Sequence, residues 1–116
     1  MKLYNLQLVE KMCRGNQEQI AKMAEVFVEQ IIDAINEIEA AYTEKDFIKI
    51  VRLSHKIKPT LAYFGTDELA EEFLLTEDLL SNEITAPEVD MKIASLKLIA
   101  QEVVVQMKND FNITNT

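Results

Sequence analysis

The stretch IAKMAEVFVEQIIDAINEIEAA, residues 20–41, decides the fold. Ile20, Ala24, Phe27, Ile31, Ala34, Ile38 and Ala41 recur at three-to-four spacing and mark one face of an α-helix for about six turns. Met23, Val28, Ile32 and Ile35 widen that face, as suits a helix packed against more than one neighbour. Glu25, Glu29, Asp33 and Glu37 fall on the opposite, solvated side. A helix this long, apolar on one side, must bury that side against other helices.

Working outward, the chain supplies them. Leu3, Leu6 and Val9, followed by Met12 or Cys13, predict a short first helix over residues 3–13. Gly15-Asn16 breaks it, and Asn16 is placed to N-cap the long helix, 17–42. Thr43 to Asp46 is polar and reads as a tight connection into a third helix, 46–64, with Phe47, Ile50, Ser54, Ile57 and Leu61 inward. Gly65 stops that helix and Thr66 is placed to cap the next, 67–81, which turns Leu69, Phe73, Leu79 and Leu80 inward. A loop over Ser81–Ala86 leads to Pro87, at the position where helix-opening prolines sit. The final helix, 87–109, uses Val89, Ile93, Leu96, Ala100, Val103 and Met107, and Asn109 to Thr116 is expected to fray. The fold class is all-α: an antiparallel up-down four-helix bundle with a short extra N-terminal helix, one domain over residues 1–116.

Composition narrows the function. Two Gly and two Pro argue against sheet, and the formal net charge of −8 disfavours nucleic acid and anionic membranes as partners. The longest unbroken apolar run is four residues, Leu61 to Phe64, so no segment spans a bilayer. The single cysteine, Cys13, excludes an internal disulfide and a cysteine zinc cluster. A cytoplasmic setting is the expectation, and a bundle with its own core is expected to be monomeric.

The distribution of charge says more than its sum. Residues 44–58 hold Lys45, Lys49, Arg52, Lys56 and Lys58 against Glu44 and Asp46, a balance of +3. The remainder holds seven basic and eighteen acidic residues, a balance of −11. That one basic segment carries the one histidine, His55. At about 100° per residue, His55 lies about 140° from the stripe of Ile50, Leu53, Ile57 and Leu61, so it points out of the bundle. Ile48, Val51, Pro59 and Ala62 surround it on the wheel, a small and apolar rim suited to docking.

A lone histidine limits the chemistry. A di-iron bundle needs two Glu-x-x-His pairs, and a zinc site needs further ligands. Neither is in the sequence, and a basic, polar helix face makes no haem pocket. Triad catalysis needs an orienting acid, and the nearest in sequence, Asp46 and Asp67, are both most of a helix away. No metal site is expected. A free imidazole titrates near ~6.5, so near neutrality one ring nitrogen is available as a nucleophile. Lys58, three residues on, lies on an adjacent turn and can pair with a phosphoryl group carried there. The only glycines, Gly15 and Gly65, lie fifty positions apart and make no phosphate loop, so the sequence has no recognisable means of binding ATP.

The chain resembles the histidine-containing phosphotransfer (HPt) domains of bacterial multistep phosphorelays. The resemblance centres on Leu53-Ser54-His55-Lys56-Ile57-Lys58-Pro59-Thr60-Leu61-Ala62-Tyr63-Phe64-Gly65, followed by Leu69 and Ala70. Lys45-Asp46-Phe47 is similar to the family's start of this helix, and Leu6 to Asn16, with Met23 and Phe27, to its first helix and turn. By resemblance, His55 matches the phosphorylated histidine, Lys58 the lysine that steadies the phosphoryl group, and Gly65 the glycine that ends the helix. The resemblance implies a phosphoryl carrier without kinase activity or a cofactor of its own, the Mg²⁺ belonging to the receiver. Its implied partners are response-regulator receiver domains and a hybrid sensor histidine kinase, with Arg52 and Lys56 helping the rim to dock an acidic receiver site. Pro59 departs from the family's usual glycine. It cannot donate to the His55 carbonyl, so a bend or a solvent-bonded carbonyl is expected there, whereas a helix ending before Pro59 refutes the bend. The alternative reading is a helical interaction module, or an inactive relative, that binds an acidic partner through the basic helix without phosphotransfer.

Overall fold

The computed structural model describes residues 2–82 and 86–113. Its elements are α1 (Gln7–Met12), α2 (Gln17–Thr43), α3 (Phe47–Tyr63), α4 (Asp67–Ser81) and α5 (Ala86–Phe111). α2 packs on α3 and α5, and α4 packs on the same two, so α3 and α5 stand diagonally across the core. With only three residues between α2 and α3, and again between α3 and α4, consecutive helices must reverse direction. The result is the all-α, up-down four-helix bundle, with α1 as the short extra helix.

The stripes meet as their spacing requires. On α2, Ile20, Ala24, Phe27, Ile31, Ile38 and Ala41 are buried, with Ala34 half-buried, while Glu25, Glu29, Asp33 and Glu37 are exposed. All six inward residues of α5 are buried, from Val89 to Met107. Each fully buried Ile, Leu or Phe contributes roughly 1.5–3 kcal/mol. Phe27 and Phe64, with ring centroids 4.8 Å apart, join α2 to the end of α3.

Helix ends set the register of the site. The Asn16 side chain accepts from the Gln19 amide at 3.0 Å, and the Asp46 side chain accepts from the Lys49 amide at 3.2 Å. α3 closes in a Schellman motif: the Gly65 amide donates to the Ala62 carbonyl and the Thr66 amide to the Leu61 carbonyl, with Gly65 at φ +57°. The same paired bonds end α2, where Lys45 takes the left-handed conformation at φ +58°.

Several expectations are corrected. Residues 3–6 are not helical: the Leu3 amide donates to the Gln106 side chain and the Asn5 amide to the Phe64 carbonyl, so the segment is a strap across the ends of α3 and α5. Phe47 opens α3 at the rim of the bundle, 39% exposed, its ring beside Tyr42. Thr66 occupies the N-cap of α4 but caps nothing there; its hydroxyl donates to the Leu61 carbonyl at 2.9 Å. Leu79 and Leu80 are half-buried, and Thr76 is the buried residue at that level, its hydroxyl satisfied by the Glu72 carbonyl at 2.8 Å. The C-terminus does not fray at Asn109: α5 continues to Phe111, and the Ile113 amide donates to the Lys108 carbonyl at 2.9 Å. Pro87 lies in the first turn of α5, while residues 83–85 of the expected loop and 114–116 of the tail lie outside the described residues.

Candidate functional site

α3 presents two faces. Ile50, Ser54, Ile57 and Leu61 are buried, so His55, one residue beyond Ser54, leaves the helix on its outer side, with 72% of its side chain exposed. The helix runs without interruption through Pro59, so it does not end before that residue. Proline has no amide hydrogen, which leaves the His55 carbonyl without its i+4 donor.

The neighbouring helix completes the site. On α4 the core side is Leu69, Phe73 and Thr76; one residue past Thr76, Glu77 turns toward α3. Because α4 runs back along α3, Glu77 comes level with His55 and Lys58. Its Oε1 lies 3.4 Å from His55 Nδ1, and its Oε2 lies 2.9 Å from Lys58 Nζ. One carboxylate thus faces both residues of the His-x-x-Lys pair. Glu77 is largely enclosed, with 18% of its side chain exposed, against 36% for Lys58. The Lys58 ammonium holds the Glu77 carboxyl below its ordinary value, partly offset by burial, with the charge of His55 a smaller influence in the same direction.

Sequence reasoning missed Glu77. The acids near His55 along the chain are Asp46 and Asp67, whereas Glu77 lies twenty-two positions away, across a helix reversal. A wheel of α4 drawn against that of α3 carried the signal, because it sets Glu77 between the core face and the flank toward α3. Glu72 takes the other flank, where it meets Lys92 and Ser95 of α5.

Each remaining residue of the rim has a definite place. Ile48 is 72% exposed; Arg52, Lys56, Pro59 and Ala62 are exposed, and Val51 is half-buried. His55 therefore stands on an exposed surface among apolar and basic side chains. Two hollows lie between α2 and α3, neither of them lined by His55. One, of about 280 Å³, has Asp33, Glu37, Lys56 and Thr60 in its walls; the other, of about 340 Å³, has Met23, Val26, Phe27 and Tyr63. Gly65 lies beneath the strap, where an added Cβ would sit 2.3 Å from Asn5 Nδ2.

Among the described residues, no group of three or more His, Cys, Asp and Glu side chains is placed to hold a metal ion. No helix among them is long and apolar enough to cross a membrane. An exposed imidazole whose Nδ1 faces a carboxylate has its Nε2 free toward solvent, and a lysine one turn away supplies a nearby positive charge. Such a group can accept and release a small anionic group delivered by a macromolecule.

A protein-family model described as the Hpt domain matches residues 22–108, a span that contains α3, α4 and most of α2 and α5. Comparisons with curated proteins and with solved structures gave no significant match.

Proposed function

The chain belongs to the Hpt-domain family, whose members carry phosphoryl groups in phosphorelay signalling, and on that premise we propose that His55 is the phosphoacceptor of this chain. The observation that carries the proposal is the shared carboxylate: Glu77 reaches both His55 Nδ1 and Lys58 Nζ on an exposed basic face. A carboxylate at Nδ1 favours the tautomer with its proton there, which leaves the Nε2 lone pair pointing outward.

In the forward step, Nε2 attacks the phosphorus of an aspartyl phosphate on a receiver domain. The N–P bond forms as the P–O bond to the aspartate breaks, and that electron pair leaves with the receiver carboxylate. The ring keeps its Nδ1 proton and becomes a phosphorylated imidazolium, whose positive charge faces Glu77. Lys58, partly exposed, can turn from Glu77 toward the new phosphoryl oxygens. Transfer to a second receiver runs the same bonds in reverse. Mg²⁺ belongs to the receiver in this scheme, and this chain contributes no cofactor.

Docking follows from the same face. Ile48, Val51, Pro59 and Ala62 offer apolar contact, while Arg52 and Lys56 match the acidic surroundings of a receiver aspartate. Receiver domains and a sensor histidine kinase that feeds them are the proposed partners.

The test is incubation with a phosphorylated receiver, scored for acid-labile phosphate on this chain. Wild type is expected to label and His55→Gln to remain unlabelled with its helical circular dichroism unchanged. Label that survives His55→Gln overturns the assignment. A chain that binds receivers but never takes up label is an interaction module instead.

A further inference from the structure

The outer face of α5 carries a second apolar feature, far from His55. Met91, Leu98 and Val105 are 73%, 56% and 56% exposed and fall seven residues apart. At about 100° per residue they line up within one narrow stripe, opposite the buried Leu96, Ala100, Val103 and Met107. Ala94 and Gln101 fill the intervening positions, so residues 91–105 read as the seam of a two-helix coiled coil, with Met91, Leu98 and Val105 at one seam position and Ala94 and Gln101 at the other. All three side chains lie outside the buried core. Isolated exposed apolar side chains are ordinary, but three in register over two heptads form a continuous surface.

We infer that this stripe is a self-association surface, along which α5 of one copy packs in parallel against α5 of a second. The parallel arrangement follows from the residues. It stacks Met91, Leu98 and Val105 each on its own twin, as three apolar layers, and pairs Gln101 with Gln101. An antiparallel arrangement through the same two seam positions sets Leu98 against Gln101 and Met91 against Lys108, and keeps one apolar layer, Val105 on Ala94, against three in the parallel one. Charge agrees with the parallel choice: across a parallel seam, Lys97 of each copy faces Glu102 of the other, giving two opposite-charge pairs by symmetry. Among the described residues Lys97 pairs with Glu39, at 3.2 Å, a surface contact with both side chains more than 40% exposed. Such a pair is weak and can be shared.

The seam is short. Two heptads bury less than the ~1,200 Å² of a standard-size interface, so the dimer is a weak one. It also leaves the phosphotransfer face free, because α3 and α5 are diagonal in the bundle. The inference is therefore independent of what His55 does.

Sedimentation equilibrium of the whole chain, from tens of micromolar to about one millimolar, spans the range where so small an interface associates. A monomer–dimer equilibrium is expected, with Leu98→Glu weakening it at least tenfold while circular dichroism stays unchanged. Lys97→Glu is expected to weaken it several-fold, and Lys97→Glu with Glu102→Lys to recover it. A chain that stays monomeric throughout overturns the inference, as does association indifferent to Leu98→Glu, which would place the contact elsewhere. Failure of the charge swap to recover affinity overturns the parallel register.

Discussion

His55 Nδ1 and Glu77 Oε1 lie 3.4 Å apart although a helix end, a turn and most of a second helix separate them in the chain. The same carboxylate meets Lys58, so the pair that the sequence displays on one helix is in fact a three-residue arrangement on two. In the proposed transfer Glu77 is a positioning residue, acting on the phosphoryl group only through His55 and Lys58.

Glu77→Gln keeps the shape and removes the charge. Phosphoryl transfer to His55 is expected to slow about tenfold, the equivalent of ~1.4 kcal/mol of lost stabilisation of the imidazolium. A structural role alone would leave the ring tautomer untouched, so nitrogen NMR of the imidazole is the deciding measurement. The Nδ1-protonated fraction is expected to fall in the variant; an unchanged tautomer with an unchanged rate removes Glu77 from the mechanism.

The pH dependence of stability follows from the direction of the Glu77 shift. Its carboxyl is held below the ordinary value of 4.5, mainly by Lys58, so the folded state binds this proton less readily than the unfolded chain. The resulting stabilisation is fully present above that value and is lost as the pH falls below it, through the lowered folded-state value. Urea midpoints measured across that window are expected to drop more steeply for wild type than for Lys58→Met. Parallel curves would mean that the ion pair contributes nothing to stability.

Gly65→Ala places a Cβ at φ +57° and within 2.3 Å of the Asn5 side chain. A left-handed alanine alone costs roughly 1–2 kcal/mol, and moving Asn5 adds to it, so a loss of about 2 kcal/mol is expected. Denaturant titration checks the size. Combining it with Asn5→Gly is expected to restore only the steric share, because the backbone conformation is unchanged.

Ser54 is fully buried beside His55, and among the described residues its hydroxyl has no hydrogen-bond partner. An unsatisfied buried hydroxyl costs on the order of 1–3 kcal/mol, and alanine fills nearly the same volume. Ser54→Ala is therefore expected to match or exceed wild-type stability by up to ~1 kcal/mol, with phosphotransfer unchanged. A clear loss in the urea midpoint would show that the hydroxyl is bonded in solution.

Local patterns were legible where one helix suffices to set them. The stripes of α2 and α5, the cap at Asn16 and the stop at Gly65 all follow from spacing and backbone preference within a few residues. So does the outward placement of His55. Readings failed where a neighbour decides: Phe47 has a core residue's spacing but sits at the rim, and the first four residues of the expected N-terminal helix are drawn off by bonds to Gln106 and Phe64.

An all-helical bundle, and an exposed histidine with a lysine three residues on, on the one basic helix of an acidic chain, are properties written along the chain. Those properties depend on the 3.6-residue period and on counting charges, and both can be done along the chain. That Glu77 faces both of those residues, that Lys58 is held by a carboxylate, and that Met91, Leu98 and Val105 are left uncovered follows from how the helices pack. The reason is geometric. Which side chains meet across two antiparallel helices depends on the length of the turn and the rotation of each helix about its axis, and packing sets both.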